Sequence, residues 1–229
     1  MHTQSDILLS VDAVVFGYNP QEGISVLLIS RRFPPHQGKW ALPGGFVKPE
    51  ESLEDAVHRE LKEETGISIH YLEQLYTFGK PERDPRKRVV SVAYYGLVRP
   101  EQFELHADTD AADAEWFTIS EVPKLAFDHQ EIMEMALQRL KGKIIYQPVG
   151  FGLLDEKFTF AELQNLYEQL LERRIDRGNF RKRIRNLDIL EELDEWKKPE
   201  GSGRPARMFR FNERKYRELA EKGIDFELW

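Results

Sequence analysis

The first 120 residues alternate short β-branched runs with turn residues, whereas apolar positions after residue 158 recur at helical spacing. Val11–Tyr18 and Ile24–Ser30 read as strands joined by the turn-rich Asn19-Pro20-Gln21-Glu22-Gly23. Leu72–Phe78, Val89–Val98 and Glu115–Ile119 are further strands by the same criterion. One helix interrupts them, opened by Ser52-Leu53-Glu54-Asp55 as an N-terminal cap and ended by Gly66. Asp128-His129-Gln130-Glu131 reads as a second capping box, with a helix to about Leu140 that Lys141-Gly142-Lys143 closes. Strands with a few helices over them predict a layered α+β domain, assigned to residues 1–146.

Ile144–Glu156 contains Pro148, Gly150 and Gly152 and marks a boundary, with a second domain over residues 147–229. Thr159-Phe160-Ala161-Glu162 is a capping box for a helix that places Leu163, Leu166, Tyr167, Leu170 and Leu171 on one face. The connector Arg173–Arg177 leads to a second helix from about Asn179, with Phe180, Ile184 and Leu187 as its buried face. Leu190–Leu193, a Pro/Gly stretch (Pro199, Gly201, Gly203, Pro205) and the alternating Met208-Phe209-Arg210-Phe211 follow. Helix, turn, helix and basic hairpin is the layout of a winged helix-turn-helix.

Composition narrows the chemistry. The chain has no cysteine, which removes disulfides, thiolate metal sites and cysteine nucleophiles. Its six histidines are scattered, so any metal site is expected to be carboxylate-rich and suited to Mg²⁺ or Mn²⁺. The apolar runs are strand-sized and the N-terminus lacks a signal-peptide pattern, so a cytoplasmic protein without membrane partners is expected. The net charge of −7 is uneven: residues 1–150 carry 16 basic and 23 acidic side chains, and residues 151–229 carry 17 of each. Within the second part, residues 173–185 hold seven basic side chains and one acidic one.

The segment with most chemical content is Gly45-Phe46-Val47-Lys48-Pro49-Glu50-Glu51, seven residues, then Arg59-Glu60-Leu61-Lys62-Glu63-Glu64-Thr65-Gly66-Ile67. Glu60, Glu63 and Glu64 stand at i, i+3 and i+4 and project from one helix face. Their mutual repulsion weakens the helix, and a cation in front of that face would reverse the penalty. Gly44-Gly45 permits a tight strand-to-helix loop whose carbonyl can reach the same cation. The whole segment resembles the Nudix box. The resemblance implies metal-assisted hydrolysis of a phosphoanhydride, with Gly45, Glu60 and Glu64 as metal ligands, Glu63 in support, and an ion pair between Glu51 and Arg59 bracing loop and helix. The acidic stretch Asp108–Glu115 is the candidate source of a catalytic base, with a solvated loop as the equal alternative.

Stretches outside the box refine the resemblance. Lys39-Trp40-Ala41-Leu42-Pro43, Arg83-Asp84-Pro85-Arg86, Arg88–Tyr95, Ala114–Phe117 and Leu125–His129 resemble the ADP-ribose-handling branch. Arg83, Arg86 and Arg88 are candidates for phosphate contacts, and Trp40 and Phe46 for stacking on adenine. Leu163–Glu168, Asp176–Arg183 and Gly203–Arg207 resemble the winged-helix half of the Nudix-related transcriptional regulators. That resemblance implies a Nudix α/β/α sandwich with a mixed sheet, a small winged helix-turn-helix domain, a homodimer, and operator double-stranded DNA and ADP-ribose or a related nucleotide as partners. Arg177, Asn179, Arg181, Lys182 and Arg185 would face the major groove, and Arg204 and Arg207 the wing contacts; Arg174 and Arg183 would serve phosphates. Many such regulators have a degraded box, whereas every carboxylate survives here, so a bifunctional protein is in view. Two other readings remain: an ADP-ribose pyrophosphatase with a dimerisation tail, and a sugar-responsive regulator of the same type.

Overall fold

The computed structural model describes residues 6–69, 72–106, 111–198, 201 and 203–222. The chain divides into two compact units: residues 1–19 with 24–139, and residues 20–23 with 140–229.

The first unit is organised by a seven-stranded mixed sheet, whose main path runs β3-β2-β1-β6-β5. Its strands are β1 (Leu8–Asn19), β2 (Gly23–Arg31), β3 (Trp40–Ala41), β4 (Gly44–Phe46), β5 (Glu73–Phe78), β6 (Val89–Leu97) and β7 (Ala111–Thr118). β1 pairs in parallel with β6 and antiparallel with β4, and β7 pairs antiparallel with β2. Val11, Ala13 and Val15 of β1 pack with Ala56, Val57 and Leu61 of helix α1 (Leu53–Thr65). The alternate residues Val14 and Phe16 are equally buried, so β1 is covered on both faces, as an unbroken apolar run requires. The Ser52 hydroxyl accepts from the Asp55 amide and the Asp55 carboxylate accepts from the Ser52 amide, while Gly66 closes α1 at φ 76. The five strands expected from sequence form within a few residues of their expected bounds; β3 and β4 are too short to leave a periodic signal.

Helix α2 corrects one expectation. It runs His129–Tyr146, straight through Gly142. The side chains read as its capping box are engaged elsewhere: Asp128 accepts from Arg83, and Glu131 accepts from Lys80.

The second unit holds α3 (Phe160–Leu171), α4 (Arg177–Asn186) and α5 (Glu213–Glu221), with a three-stranded sheet in the order β8-β10-β9. The strands are β8 (Phe158–Thr159), β9 (Leu190–Lys197) and β10 (Ala206–Phe211). Two helices followed by the β9–β10 hairpin make the winged-helix arrangement. The Thr159 and Glu162 side chains cap α3 reciprocally, as the sequence indicated. The α4 helix starts at Arg177, two residues before the expected Asn179, because the Asp176 side chain accepts from the Asn179 amide at 2.8 Å. The turn between α3 and α4 is braced by Glu168, which accepts from the Ile175 amide, and by Gln164, which donates to the Ile175 carbonyl. The sequence did not announce α5, a polar helix without a buried residue.

Among the described residues, three buried side-chain atoms of α3 and α4 have no hydrogen-bond partner: the Tyr167 hydroxyl, Gln169 Oε1 and Arg181 Nε. Tyr167 is fully buried against Phe180, its ring centroid 5.3 Å away, and its hydroxyl has no hydrogen-bond partner. Burying a hydroxyl without a partner costs about 1–3 kcal/mol. Tyr167→Phe is therefore expected to stabilise the second unit by roughly 1 kcal/mol. Urea unfolding followed by far-ultraviolet circular dichroism measures it, and a lower midpoint would contradict the assignment.

Candidate functional site

Strand β4, which leads into the loop before α1, opens with two glycines. Gly44 sits at φ 155, and a Cβ there would lie 2.2 Å from the Val11 carbonyl oxygen. A Cβ on Gly45 would meet the Glu60 carboxylate at 2.3 Å. Glycine is required at Gly44, where backbone fills the space a side chain would need, while a side chain at Gly45 would displace the Glu60 carboxylate.

Arg59 organises the glutamates. Its Nε and Nη2 donate to the two Glu51 oxygens at 2.9 and 2.6 Å, the fork geometry of a bidentate pair. Its Nη1 donates to Glu60 at 2.7 Å and to Glu63 at 3.3 Å, and its Nη2 reaches the Phe46 carbonyl at 3.2 Å. The expected Glu51–Arg59 brace is in place. The hydrogen bond from Arg59 holds the Glu51 pKa down at about 2, and that from Glu51 raises the Arg59 pKa. Burial raises the Glu60 pKa despite the neighbouring guanidinium.

The three box carboxylates do not share one environment. Glu64 is buried and accepts from the Gly44 amide at 2.8 Å. Glu60 and Glu64 line a cavity of about 490 Å³, within the range of small-molecule sites, whereas Glu63 lies outside that lining and stays with Arg59. Among the described residues no group of three His, Cys, Asp or Glu side chains converges to hold a metal. The donor chemistry nonetheless fits a hard divalent cation. Two of the box carboxylates line the cavity beside Gly44 and Gly45, and the ionised form of Glu60 is disfavoured by burial, a cost a cation offsets. Mg²⁺ is commonly held by one or two carboxylates together with phosphate oxygens.

The cavity floor is a buried polar network that the sequence reading missed. Arg83, a candidate for phosphate contact, lines the cavity and is buried there: it donates to Asp128 at 2.9 and 2.8 Å and to Asp12 at 3.2 Å. Burial opposes its charge, but these two aspartates outweigh burial and its pKa is raised. Asp12 also accepts from the Ser91 hydroxyl at 2.5 Å. His129 Nδ1 accepts from the Leu42 amide at 2.9 Å, which leaves the proton of the neutral ring on Nε2, 3.5 Å from Asp12. Burial lowers the His129 pKa and keeps the ring neutral. One signal was available in the sequence: Asp12 is the charged residue inside the apolar run Val11–Phe16.

The remaining predicted ligand contacts scatter. Arg86 lines the cavity but pairs with Asp84; burial opposes the Asp84 charge, yet the hydrogen bonds from Arg86 prevail and its pKa is lowered. Arg88 is absent from the lining and donates to the Lys80 and Val89 carbonyls. Trp40 is likewise outside the lining and packs edge-on against Phe117 at 4.7 Å, while Phe46 lines the cavity and is 41% exposed. In the acidic stretch, Asp108 and Asp110 lie outside the described residues. Asp113 and Glu115 stand on β7 and do not line the cavity.

In the second unit, Phe180 and Ile184 bury one face of α4. Arg177, Asn179, Lys182 and Arg185 are exposed, and Lys182 lies at the centre of the opposite face by helical geometry. Asn179, Lys182, Arg183, Asn186 and Leu187 line a surface concavity. Arg181 departs from expectation: it is half-buried, with its guanidinium 5.3 Å from the Phe160 ring. Arg207 departs too. It belongs to β10 and not to the hairpin tip, where it pairs with Glu192 at 3.0 Å, donates to the Leu193 carbonyl and covers the Trp196 ring. Arg204 is exposed between the two strands, and Arg174 is exposed near Glu168.

Residues 8–136 match the NUDIX domain family, and residues 150–211 match the NrtR DNA-binding winged helix domain. The chain is 36% identical over 208 residues to the ADPR responsive transcriptional repressor NtrR of Acinetobacter baylyi, covering 89% of this chain and 82% of that protein. It is 40% identical over 126 residues to the ADP-ribose pyrophosphatase of Methanocaldococcus jannaschii, covering 55% of this chain and 70% of that protein. The structure of Shewanella oneidensis NrtR complexed with a 27mer DNA superposes with a TM-score of 0.76 at 35% identity, covering 90% of this chain and 94% of that one.

Two outcomes follow from the ion pairs. Arg83→Met should destabilise the first unit by about 3–5 kcal/mol by leaving Asp12 and Asp128 buried without a counter-charge. Arg88→Met should cost about 1 kcal/mol or less; equal losses in thermal unfolding would refute the distinction. Because the folded Glu51 pKa lies below its usual 4.5, at about 2, its contribution to stability is present above pH 4.5 and is lost as pH falls through 2. Glu51→Gln should flatten acid destabilisation across that window, read from unfolding midpoints against pH.

Proposed function

This chain belongs to the Nudix family and, within it, to the regulators that carry an NrtR-type winged helix, and on that premise we propose that it is an ADP-ribose-responsive DNA-binding repressor whose first unit also hydrolyses its ligand. The observation that carries the reading is one chain holding both a carboxylate-lined cavity and an exposed basic helix backed by a winged hairpin. The likeness to an ADPR-responsive repressor over most of both chains favours ADP-ribose as effector and DNA as partner over a sugar effector. The exposed Lys182 and Asn179 favour DNA binding over a tail that serves dimerisation alone.

Hydrolysis is supported by the complete box and by the ADP-ribose pyrophosphatase relative. When bound, Mg²⁺ or Mn²⁺ held by Glu60 and Glu64 would neutralise diphosphate charge. The chain's own groups do the rest of the positioning. Glu64 fixes the Gly44 amide, and Arg59 ties Glu60 and Glu63 to Glu51, so that the glycine loop and helix form one rigid edge of the cavity. Glu63 acts through Arg59 as a positioning residue. Asn179 and Arg185 would read base edges, with Lys182, Arg183 and Arg204 serving phosphates, a reading supported by their exposure. Two copies of the chain would present two recognition helices, and ADP-ribose would act by favouring one dimer geometry over another.

The test combines both activities. Retention of DNA from the chain's own gene neighbourhood should be salt-sensitive and released by ADP-ribose; salt-insensitive or absent retention refutes the regulator reading. Lys182→Ala should weaken that binding uniformly across sequences and lower the salt slope by about 1, while Asn179→Ala should cost about 1–3 kcal/mol and relax sequence preference. Glu64→Gln should abolish Mg²⁺-dependent release of phosphate products from ADP-ribose while DNA binding persists. Intact ADP-ribose after incubation of the wild type with Mg²⁺ removes hydrolysis alone.

A further inference from the structure

The turn between β1 and β2 is set apart from the strands it joins. Residues 20–23 pack with the second unit, while β1 and the rest of β2 belong to the first. The Pro20 carbonyl accepts from the side-chain amide of Asn165 at 3.4 Å. Gly23 stands at φ 92, and a Cβ on it would lie 3.0 Å from Gln169 Oε1. Glycine is needed there on two counts, the left-handed backbone and the close approach of a helix side chain.

Asn165 and Gln169 are one turn apart on α3 and share a face. Leu163, Leu166, Tyr167 and Leu170 occupy the opposite face, where the Tyr167 ring packs on Phe180 of α4 at 5.3 Å. Helix α3 thus meets the β1–β2 turn on one side and the basic helix on the other. The seat of the turn is imperfect, because Gln169 Oε1 is buried with no hydrogen-bond partner. An unpaired buried acceptor is a cost of the seated arrangement, and it narrows the gap to one in which the turn is displaced and the amide is hydrated.

The open end of the same hairpin reaches the ligand cavity. Ser10 and Asp12 of β1 and Arg31 of β2 line it. Asp12 is fixed in the cavity floor by Arg83 and by the Ser91 hydroxyl. Every β1 residue from Ser10 to Tyr18 is buried, and β1 lies between β2 and β6 in the sheet. A strand enclosed in this way shifts as a unit, so a displacement at Asp12 carries along roughly 23 Å of extended chain to Asn19.

We propose that the β1–β2 hairpin is the coupling element of this regulator: ligand acting on Asp12 and Arg31 shifts the Pro20–Gly23 turn on Asn165 and Gln169, and α3 passes the shift to α4. The proposal rests on the reading of the chain as an ADP-ribose-responsive repressor and names the segment that makes it responsive. The coupling is reciprocal, so DNA weakens the ligand by the same factor as the ligand weakens DNA.

Fluorescence anisotropy of DNA from the chain's own gene neighbourhood tests this on the full chain at one salt concentration. The added ligand is the methylene-bridged analogue of ADP-ribose, which the first unit cannot cleave. The analogue should weaken wild-type DNA binding about tenfold or more. Asn165→Ala and Gln169→Ala should each reduce that factor to about threefold or less, while calorimetry on the DNA-free variants finds the analogue bound as tightly as by the wild type. Gly23→Ala, strained at φ 92, should act alike, and the two α3 variants keep the test decisive if it fails to fold. Undiminished coupling in the α3 variants overturns the hairpin's role and leaves the regulator reading intact. Loss of analogue binding itself in those variants also overturns it, since the effect would then lie in the cavity. Should the analogue leave wild-type DNA affinity unchanged, the responsive reading and the coupling element fall together.

Discussion

The first unit depends on a guanidinium placed among glutamates. A helix with Glu60, Glu63 and Glu64 on one face carries its own repulsion, and α1 tolerates it because Arg59 supplies a positive charge to two of the three. The same side chain pairs bidentately with Glu51 and reaches the Phe46 carbonyl, so one residue closes the loop onto the helix. Glu64 completes the closure from the other side through the Gly44 amide. The outcome is two carboxylates at a cavity wall and a third set aside, an arrangement that separates ligation from positioning.

Behind that wall the chain buries charge in quantity. Asp12, Arg83 and Asp128 form a buried cluster, with Ser91 and His129 completing it. Such clusters seldom add net stability over an apolar replacement, since desolvation consumes most of the Coulombic gain. What this one does supply is position: Asp128 precedes α2, Asp12 sits on the central strand, and Arg83 comes from the segment between β5 and β6. Three separate stretches meet at one guanidinium, and the cavity floor takes its shape from that meeting.

The second unit distributes charge by face. The α4 helix exposes Arg177, Lys182 and Arg185, while β9 exposes Glu191, Glu192, Asp194 and Glu195. Arg207 is drawn to the acidic strand and Arg181 to the aromatic core. A basic run in sequence thus becomes a narrower basic face in space, because the cations nearest an acid or a ring are already engaged.

Local information sufficed for much of this. The Ser52 and Thr159 caps, the αL glycine at Gly66 and the Glu51–Arg59 brace are properties of neighbours in the chain, and they form as read, whereas only Glu60 and Glu64 of the three box glutamates line the cavity. The order of strands and helices was legible for the same reason, since periodicity of two or 3.6 is a local signal. The destinations of Arg83, Arg86, Arg181 and Arg207 were not. Each arginine carries five donors on a long stem and binds whichever carboxylate or ring the fold brings close. Asp128 is 45 positions from Arg83, and Asp12 is 71. Glu131 left its expected cap for Lys80, 51 positions away, on the same principle. Sequence alone named the chemical groups and the elements that carry them; only the tertiary structure decided which charges meet, because long polar side chains choose partners by distance in space and not by distance along the chain.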